Sequence, residues 1–409
     1  MQEKSKMVDL GKKKSLMKNS ETAKTKKIMI VTGESSGDTH AAKLIKALRQ
    51  TAPEINFEFF GATSHKLRDE NVETIVNSDN FSIVGLPEIG KALPMFWKAF
   101  QKLKRAAVER SPDAVILVDF PDFNLKLAKS LKKQGLKVIY YISPQLWAWR
   151  KYRMKTIRKY VDLLLTILPF EKDWYAKQGI NHVEYVGSPT VREVHSNLTK
   201  EEFCAKYKLD ISKPIISLLA GSRHKEIVRI LPILLETAAL MSDKNDKIQF
   251  VIALASSRNL EEVEDAKNQL KSKGKRLPKN LLIVHGETHE ALNASDVAAV
   301  TSGTATLETA IIGTPSAIVY KTSPLNYKLL RPLISVAHFG LINLIAEKRL
   351  VAELIQDDFT PQNLADELFR LLETEINQKM REELKKVVDT LGHGGAALRA
   401  AQAILKILR

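Results

Sequence analysis

"IMIVTGESSGDTHAAKLIKALRQ", residues 28–50, decides the fold. An apolar, β-branched run over 28–33 turns at Gly33 and continues as a helical pattern over 41–50, where Ala, Leu and Ile return every three or four positions. A buried strand that passes through a glycine turn into an amphipathic helix opens a βαβ unit, and such units build parallel sheets with right-handed crossovers.

The succession recurs outward from this stretch. Further strands are predicted at 57–62, 114–120, 137–143, 163–169 and 183–189, with helical patterns between them. A polar segment, 195–213, separates a second series at 214–221, 248–255, 280–286, 297–303 and 315–320. The expected fold is α/β, with two Rossmann-like, doubly wound domains and a cleft between them. The boundaries read as a basic arm at 1–27, a first domain at 28–195, a second at 196–359 and a helical tail at 360–409. A chain of 409 residues is long for a single core, in agreement with two domains.

The formal net charge is +16, of which residues 1–27 hold +6 through nine Lys against Glu3, Asp9 and Glu21. This arm lacks the apolar core of a secretory signal and reads as disordered. Basic excess admits nucleic acid, anionic lipid or a phosphorylated substrate as partner. No zinc spacing, RNA-binding aromatic signature or helix-turn-helix pattern favours nucleic acid, which ranks last. The single cysteine, Cys204, has no disulfide partner in the chain and fits a structural role in a reducing compartment. No run of about 18 apolar residues predicts a spanning helix; 332–346 is broken by Pro332, His338, Gly340 and Asn343.

Four glycine-containing turns follow predicted strands, GESSGD (33–38), GSRHKE (221–226), SGTATLE (302–308) and VGSP (186–189), and the first three, with VDFPDFN (118–124), carry the candidate chemistry. In an open α/β sheet, ligands sit at the carboxyl ends of strands, where helix N-termini offer free N–H groups to phosphate. Gly221-Ser222-Arg223 combines close backbone approach, a hydroxyl and a guanidinium, which suits a diphosphate. Gly303, Thr304 and Thr306 open a helix whose positive end can face the same group, and Glu308 one turn later can accept two ribose hydroxyls or serve as an ordinary helix carboxylate. In the first half, Ser35, Ser36 and Asp38 of GESSGD (33–38) and Asp119 and Asp122 of VDFPDFN (118–124) gather hydroxyl and acidic groups at strand ends. Glycosyl transfer needs a base beside the anomeric carbon, and a carboxylate at a strand terminus meets that need. The Asp119-x-x-Asp122 spacing is wider than the D-x-D of metal-dependent transferases, so no metal is expected, and Asp122 is expected to fix the turn that aims Asp119. The stretch 84–105, with Leu, Met, Phe and Trp among Lys and Arg, suits either an interior amphipathic helix or an anionic membrane surface. ISPQLWAWRKYR (142–153) places two Trp beside cations, for sugar stacking or for packing.

GESSGD (33–38), DFPDFN (119–124), LKKQGLKVIYYISPQLWAWR (131–150), LPFEKDWY (168–175), GSRHKE (221–226), SGTATLE (302–308) and LINLIAEKRLVAEL (341–354) together resemble the lipid-A-disaccharide synthase family, inverting glycosyltransferases of GT-B architecture. The resemblance spans roughly 28–405, and its WAWR and LPFEK strings are more specific than any glycine loop. It implies transfer of 2,3-diacylglucosamine from UDP-2,3-diacylglucosamine to 2,3-diacylglucosamine 1-phosphate, giving the β-1,6 disaccharide 1-phosphate and UDP. It implies no cofactor, since the UDP-sugar is a substrate, and a peripheral location on the cytoplasmic face of the inner membrane, against anionic lipid. By the same resemblance Asp119 is the base and Arg223 the diphosphate holder. Glu34, Ser36 and Asp38 line the acceptor side; Gly221, Ser222, Glu226, Gly303, Thr304, Glu308 and Asn343 belong to the donor side. The tail either crosses back or is exchanged between protomers of a homodimer. The competing readings are a GT-B UDP-N-acetylglucosamine transferase or 2-epimerase, and a non-catalytic sugar-nucleotide binding protein.

Overall fold

The computed structural model describes residues 24–79, 81, 89–324, 327, 328, 336–392 and 394–408. Residues 1–23 of the basic arm, 84–88 of the amphipathic stretch and 332–335 of the interrupted apolar run lie outside the described residues.

Two parallel sheets form. The first contains β1 (Lys24–Val31), β2 (Ile55–Thr63), β3 (Glu73–Asn77), β4 (Ala114–Val118), β5 (Val138–Tyr141), β6 (Leu163–Thr166) and β7 (Val183–Tyr185), in the order β3-β2-β1-β4-β5-β6-β7. The second contains β8 (Ile215–Leu219), β9 (Gln249–Leu254), β10 (Leu281–His285), β11 (Val297–Thr301), β12 (Ser316–Tyr320) and β13 (Glu353–Ile355), in the order β10-β9-β8-β11-β12-β13. Central strands such as Ala114–Val118 and Ile215–Leu219 are buried along their whole length, as expected where helices cover both faces of a parallel sheet.

Strand order reverses between β1 and β4 in the first sheet and between β8 and β11 in the second. At such a reversal the following helices diverge to opposite faces and leave a crevice at the carboxyl ends. The loops entering the first crevice are GESSGD after β1 and DFPDFN after β4; those entering the second are GSRHKE after β8 and SGTATLE after β11. These four loops fall on the two reversal points, whereas the VGSP turn (186–189) follows the edge strand β7 and does not.

Three sequence expectations change. The arm is shorter than 1–27, because Lys24–Lys27 pair with Ile55–Glu58 as the start of β1. Main-chain pairing there leaves no apolar signature: Lys26 reaches the Asp113 carboxylate at 2.7 Å, and the Lys27 N–H donates to it at 2.9 Å. The half-exposed edge strand β3 and the three-residue β13 were not predicted, being too short or too polar to show a period.

Alternation along β1 divides the first core. Ile28 and Ile30 pack on one face with the Ser35–Thr51 helix, and Met29 and Val31 on the other with the Ile89–Arg110 and Pro121–Lys132 helices. The tail leaves the second domain through the Pro361–Leu372 and Thr374–Asp389 helices and returns to the first. Its last helix, Ala396–Leu408, lies against Ser35–Thr51 and places Ala400, Ile404 and Leu408 in the same core as Ile28. Arg399 donates to the Val186 carbonyl at 2.7 Å, and Lys137 donates to that of Ile407 at 2.6 Å. Cys204 is buried in the second domain among Phe203, Ile215 and Leu219.

Candidate active site

At the first reversal point the chain leaves β4 through two consecutive left-handed residues, Asp119 (φ 48°) and Phe120 (φ 49°). Neither is glycine, so each costs on the order of 1–3 kcal/mol and needs fixing from outside. The Asp119 carbonyl accepts from Tyr140 Oη at 2.6 Å and from Asn124 Nδ2 at 2.8 Å, and Asn124 also reaches the Val118 carbonyl at 3.2 Å. The Asp119 N–H donates to the Tyr141 carbonyl at 3.0 Å. Gly33 is required on the facing loop, because a Cβ there would lie 2.2 Å from the Phe120 ring.

This turn presents Asp119 as a poised carboxyl. Burial pushes its pKa up to about 6, the nearby Glu34 charge adds to the rise, and the Phe120 amide partly offsets it. Glu34 and Ser36 are exposed at the start of the Ser35–Thr51 helix, on the loop that faces the Asp119 turn. Asp38 departs from its predicted place in the cleft. It is fully buried and accepts from the N–H groups of Ser64, Lys66 and Leu67 at 2.9, 2.9 and 3.3 Å, capping the His65–Asp69 helix. Asp122 does not fix the Asp119 turn either; Asn124 and Tyr140 do that. Its carboxylate pairs with Arg150 at 2.8 Å and with Arg153, fastening the 142–153 loop to the start of the Pro121–Lys132 helix.

At the second reversal point a cavity of about 760 Å³ opens between the domains. Gly221, Ser222, Arg223, Gly303, Thr304 and Glu308 line it from the second domain, and Gln145, Trp147 and Trp149 from the first. The volume lies within the range of small-molecule sites. Two helix N-termini open onto it, those of His224–Lys244 and Ala305–Ile312. The Arg223 side chain is 82% exposed, and its Nη1 meets Glu226 Oε1 at 2.9 Å. Glu226, which also lines the cavity, accepts through Oε2 from the N–H groups of Ser222 and Arg223 at 3.2 and 3.3 Å and so shapes the loop. Gly221 has φ 104°, and a side chain there would strike Glu226. Glu308, half-buried, receives His289 Nε2 at 3.2 Å. Asn343 is not a cavity group as predicted. It is fully buried, donates to the Val351 carbonyl at 2.8 Å and to Glu353 at 2.9 Å, and holds the wall to which Leu341 and Leu344 belong.

Sequence reading missed Glu171, the glutamate of the LPFEK string. Fully buried, it accepts from Ser143 Oγ at 2.8 Å, Trp147 Nε1 at 3.1 Å and the N–H groups of Ile167 and Leu168 at 3.2 and 3.0 Å. It therefore locks the WAWR loop to the LPFEK loop and sets Trp147 at the cavity wall. The signal was available as a glutamate inside an otherwise apolar string beside an indole-bearing one. Trp147 is packed, whereas Trp149 is 44% exposed with the Arg150 guanidinium 4.2 Å from its ring centroid. Glu171→Ala leaves four donors without an acceptor and is expected to destabilise the protein by at least about 3 kcal/mol in urea unfolding. A loss below about 0.5 kcal/mol would contradict the locking role.

The Ile89–Arg110 helix buries Ala99, Leu103 and Ala107, as an amphipathic helix does, and leaves Leu93 61% and Trp97 64% exposed. Among the described residues no helix is long and apolar enough to cross a membrane, and no three His, Cys, Asp or Glu side chains gather as a metal site.

Two parallel Rossmann-like domains, with a carboxylate-bearing strand end on one and an anion-ready strand end on the other, define a GT-B protein. The fold is shared with a UDP-GlcNAc 2-epimerase from Neisseria meningitidis solved with UDP-GlcNAc (TM-score 0.57, 14% identity, 94% of this chain and 100% of that one). It is shared also with a glycosyltransferase from Rickettsia africae (TM-score 0.56, 14% identity, 95% and 99% covered). The family model described as lipid-A-disaccharide synthetase matches residues 28–407. A lipid-A-disaccharide synthase from Trichlorobacter lovleyi is 40% identical over 384 residues, 94% of this chain and 98% of its own. The chain belongs to the lipid-A-disaccharide synthase family, whose members are glycosyltransferases.

Proposed function

We propose that this protein transfers 2,3-diacylglucosamine from UDP-2,3-diacylglucosamine to 2,3-diacylglucosamine 1-phosphate, forming the β-1,6-linked disaccharide 1-phosphate and UDP. The observation that carries this reading is family membership over residues 28–407 joined to a cleft with one reversal point on each side. In the reaction, Asp119 takes the proton of the acceptor 6-hydroxyl, and that oxygen attacks the anomeric carbon from the face opposite the diphosphate. The new C–O bond forms as the bond to the diphosphate breaks, its electron pair leaving on UDP, and the anomeric centre inverts. Asp119, poised near pH 6, is ionised at neutral pH yet basic enough to assist. Arg223 and the N–H groups of the two helix starts take up the charge that develops on the diphosphate. This assignment of roles needs no metal. Glu308 accepts from the ribose hydroxyls, and Glu34 and Ser36 face the acceptor.

Both substrates carry fatty chains, and the exposed Leu93 and Trp97 give the first domain an apolar face for the bilayer surface on which those chains lie. The protein then works as a peripheral enzyme on the cytoplasmic leaflet, its basic surface drawn to anionic lipid. The test is mass spectrometry of the products made from acylated and unacylated UDP-glucosamine donors with the acylated acceptor phosphate. A disaccharide phosphate from the acylated donor is expected. Turnover of the unacylated donor alone, or epimerisation without transfer, would overturn the reading.

A further inference from the structure

The two domains are joined through residues 194–199, between the Thr190–Glu193 and Lys200–Tyr207 helices. This segment is clamped along one short helix of the second domain, Thr288–Ala294. Glu290 Oε1 accepts from Asn197 Nδ2 at 3.0 Å and from the Asn197 N–H at 3.4 Å. Asn293 Nδ2 donates to the Leu198 carbonyl at 3.0 Å, where Ser196 Oγ also donates at 2.6 Å. The same helix faces the cavity at its other side. Thr288 lines the cavity, and His289 Nε2 donates to Glu308 Oε2 at 3.2 Å.

We propose that the Thr288–Ala294 helix couples donor binding to the interdomain linker, with His289 as the positioning residue that ties the Glu308 carboxylate to the helix whose Glu290 and Asn293 hold Asn197 and Leu198. The inference rests on the reading of the cavity as the site of the uridine diphosphate donor. Its logic is geometric. A carboxylate that must accept from two adjacent hydroxyls has to be held in one rotamer, and the imidazole takes up the oxygen edge that would otherwise swing. The hydrogen bond to Glu308 raises the pKa of the imidazole, and burial partly offsets the rise. The charged groups acting on it are therefore Glu308 from the Ala305–Ile312 helix and Glu290 from its own. A movement of Glu308 on engaging ribose would reach, through His289 and the helix that carries it, one of the two segments that connect the domains. Hinges of this kind are a few loop residues that absorb the backbone change on closure.

The proposal separates His289 from the groups that touch substrate. His289→Ala is expected to weaken UDP binding roughly tenfold, the loss of a charge-assisted hydrogen bond that orients the ribose carboxylate. His289→Gln, which keeps one donor, recovers part of that loss. The donor KM rises while the acceptor KM holds. The decisive measurement is hydrogen exchange of the Asn197 and Leu198 amides with and without saturating UDP. In the wild-type protein UDP slows their exchange; in His289→Ala, with UDP still saturating, it does not. UDP-dependent protection of those amides that survives in both variants overturns the coupling while leaving the donor site intact. Absence of any UDP binding by the wild-type protein overturns the donor reading, and the coupling with it.

Discussion

Asp119→Asn is expected to lower kcat by roughly 10²–10⁴-fold, the span of general-base contributions, with UDP binding retained. The amide matches the carboxylate in size and keeps the turn built by Tyr140 and Asn124, so the loss reports proton abstraction and not collapse of the loop. The pH profile sharpens the test. Because the working form is the ionised one, kcat/KM of the wild-type enzyme rises with pH and levels above about 6, where burial and Glu34 have placed the group. The variant should lack that limb. Stability runs the opposite way. A carboxyl whose folded pKa is raised stabilises the native state below its unfolded value and loses that contribution as pH climbs through about 6. Above that pH, Asp119→Asn is therefore expected to be more stable than the wild type, by at most about 3 kcal/mol, in thermal unfolding at pH 7.5 compared with pH 5. A variant both inactive and destabilised at pH 7.5 would count against the assignment.

Arg223→Ala is expected to remove roughly 2–4 kcal/mol of transition-state stabilisation, seen as a loss of about 30- to 1,000-fold in kcat. The guanidinium is 82% exposed and, among the described residues, is bound at one edge by Glu226, which leaves donors to meet an incoming diphosphate. Arg223→Lys should recover little, since a single ammonium cannot reproduce the planar fork. An unchanged kcat/KM in the alanine variant would remove Arg223 from the mechanism.

Much of this was legible before any coordinates. Wholly buried runs such as Ala114–Val118 announce central parallel strands, and a glycine turn followed by a helix announces a strand end. The positions of the four loops therefore followed from the string. What did not follow was the direction of each polar side chain. Asp38 and Glu34 sit in the same hexapeptide, yet Asp38 turns back to amides at Ser64 and Lys66 while Glu34 stays exposed. Asn343 likewise answers to Val351 and Glu353, and Glu171 to Ser143 and Trp147. A loop carboxylate reads alike whether it waits for a ligand or caps a distant turn. Only the packing of segments far apart in the chain decides between them.

The helix at Ala396–Leu408 has a consequence for biosynthesis. One face of the first sheet is sealed by a helix that follows the whole second domain in the chain, so Ile28, Ile30 and the Ser35–Thr51 helix wait for Ala400, Ile404 and Leu408. The second domain, complete earlier apart from this return, can fold while the first still exposes an apolar flank. Vectorial synthesis thus runs backward for these two domains: the first is begun earlier yet matures after the second, and a nascent chain needs protection across that interval.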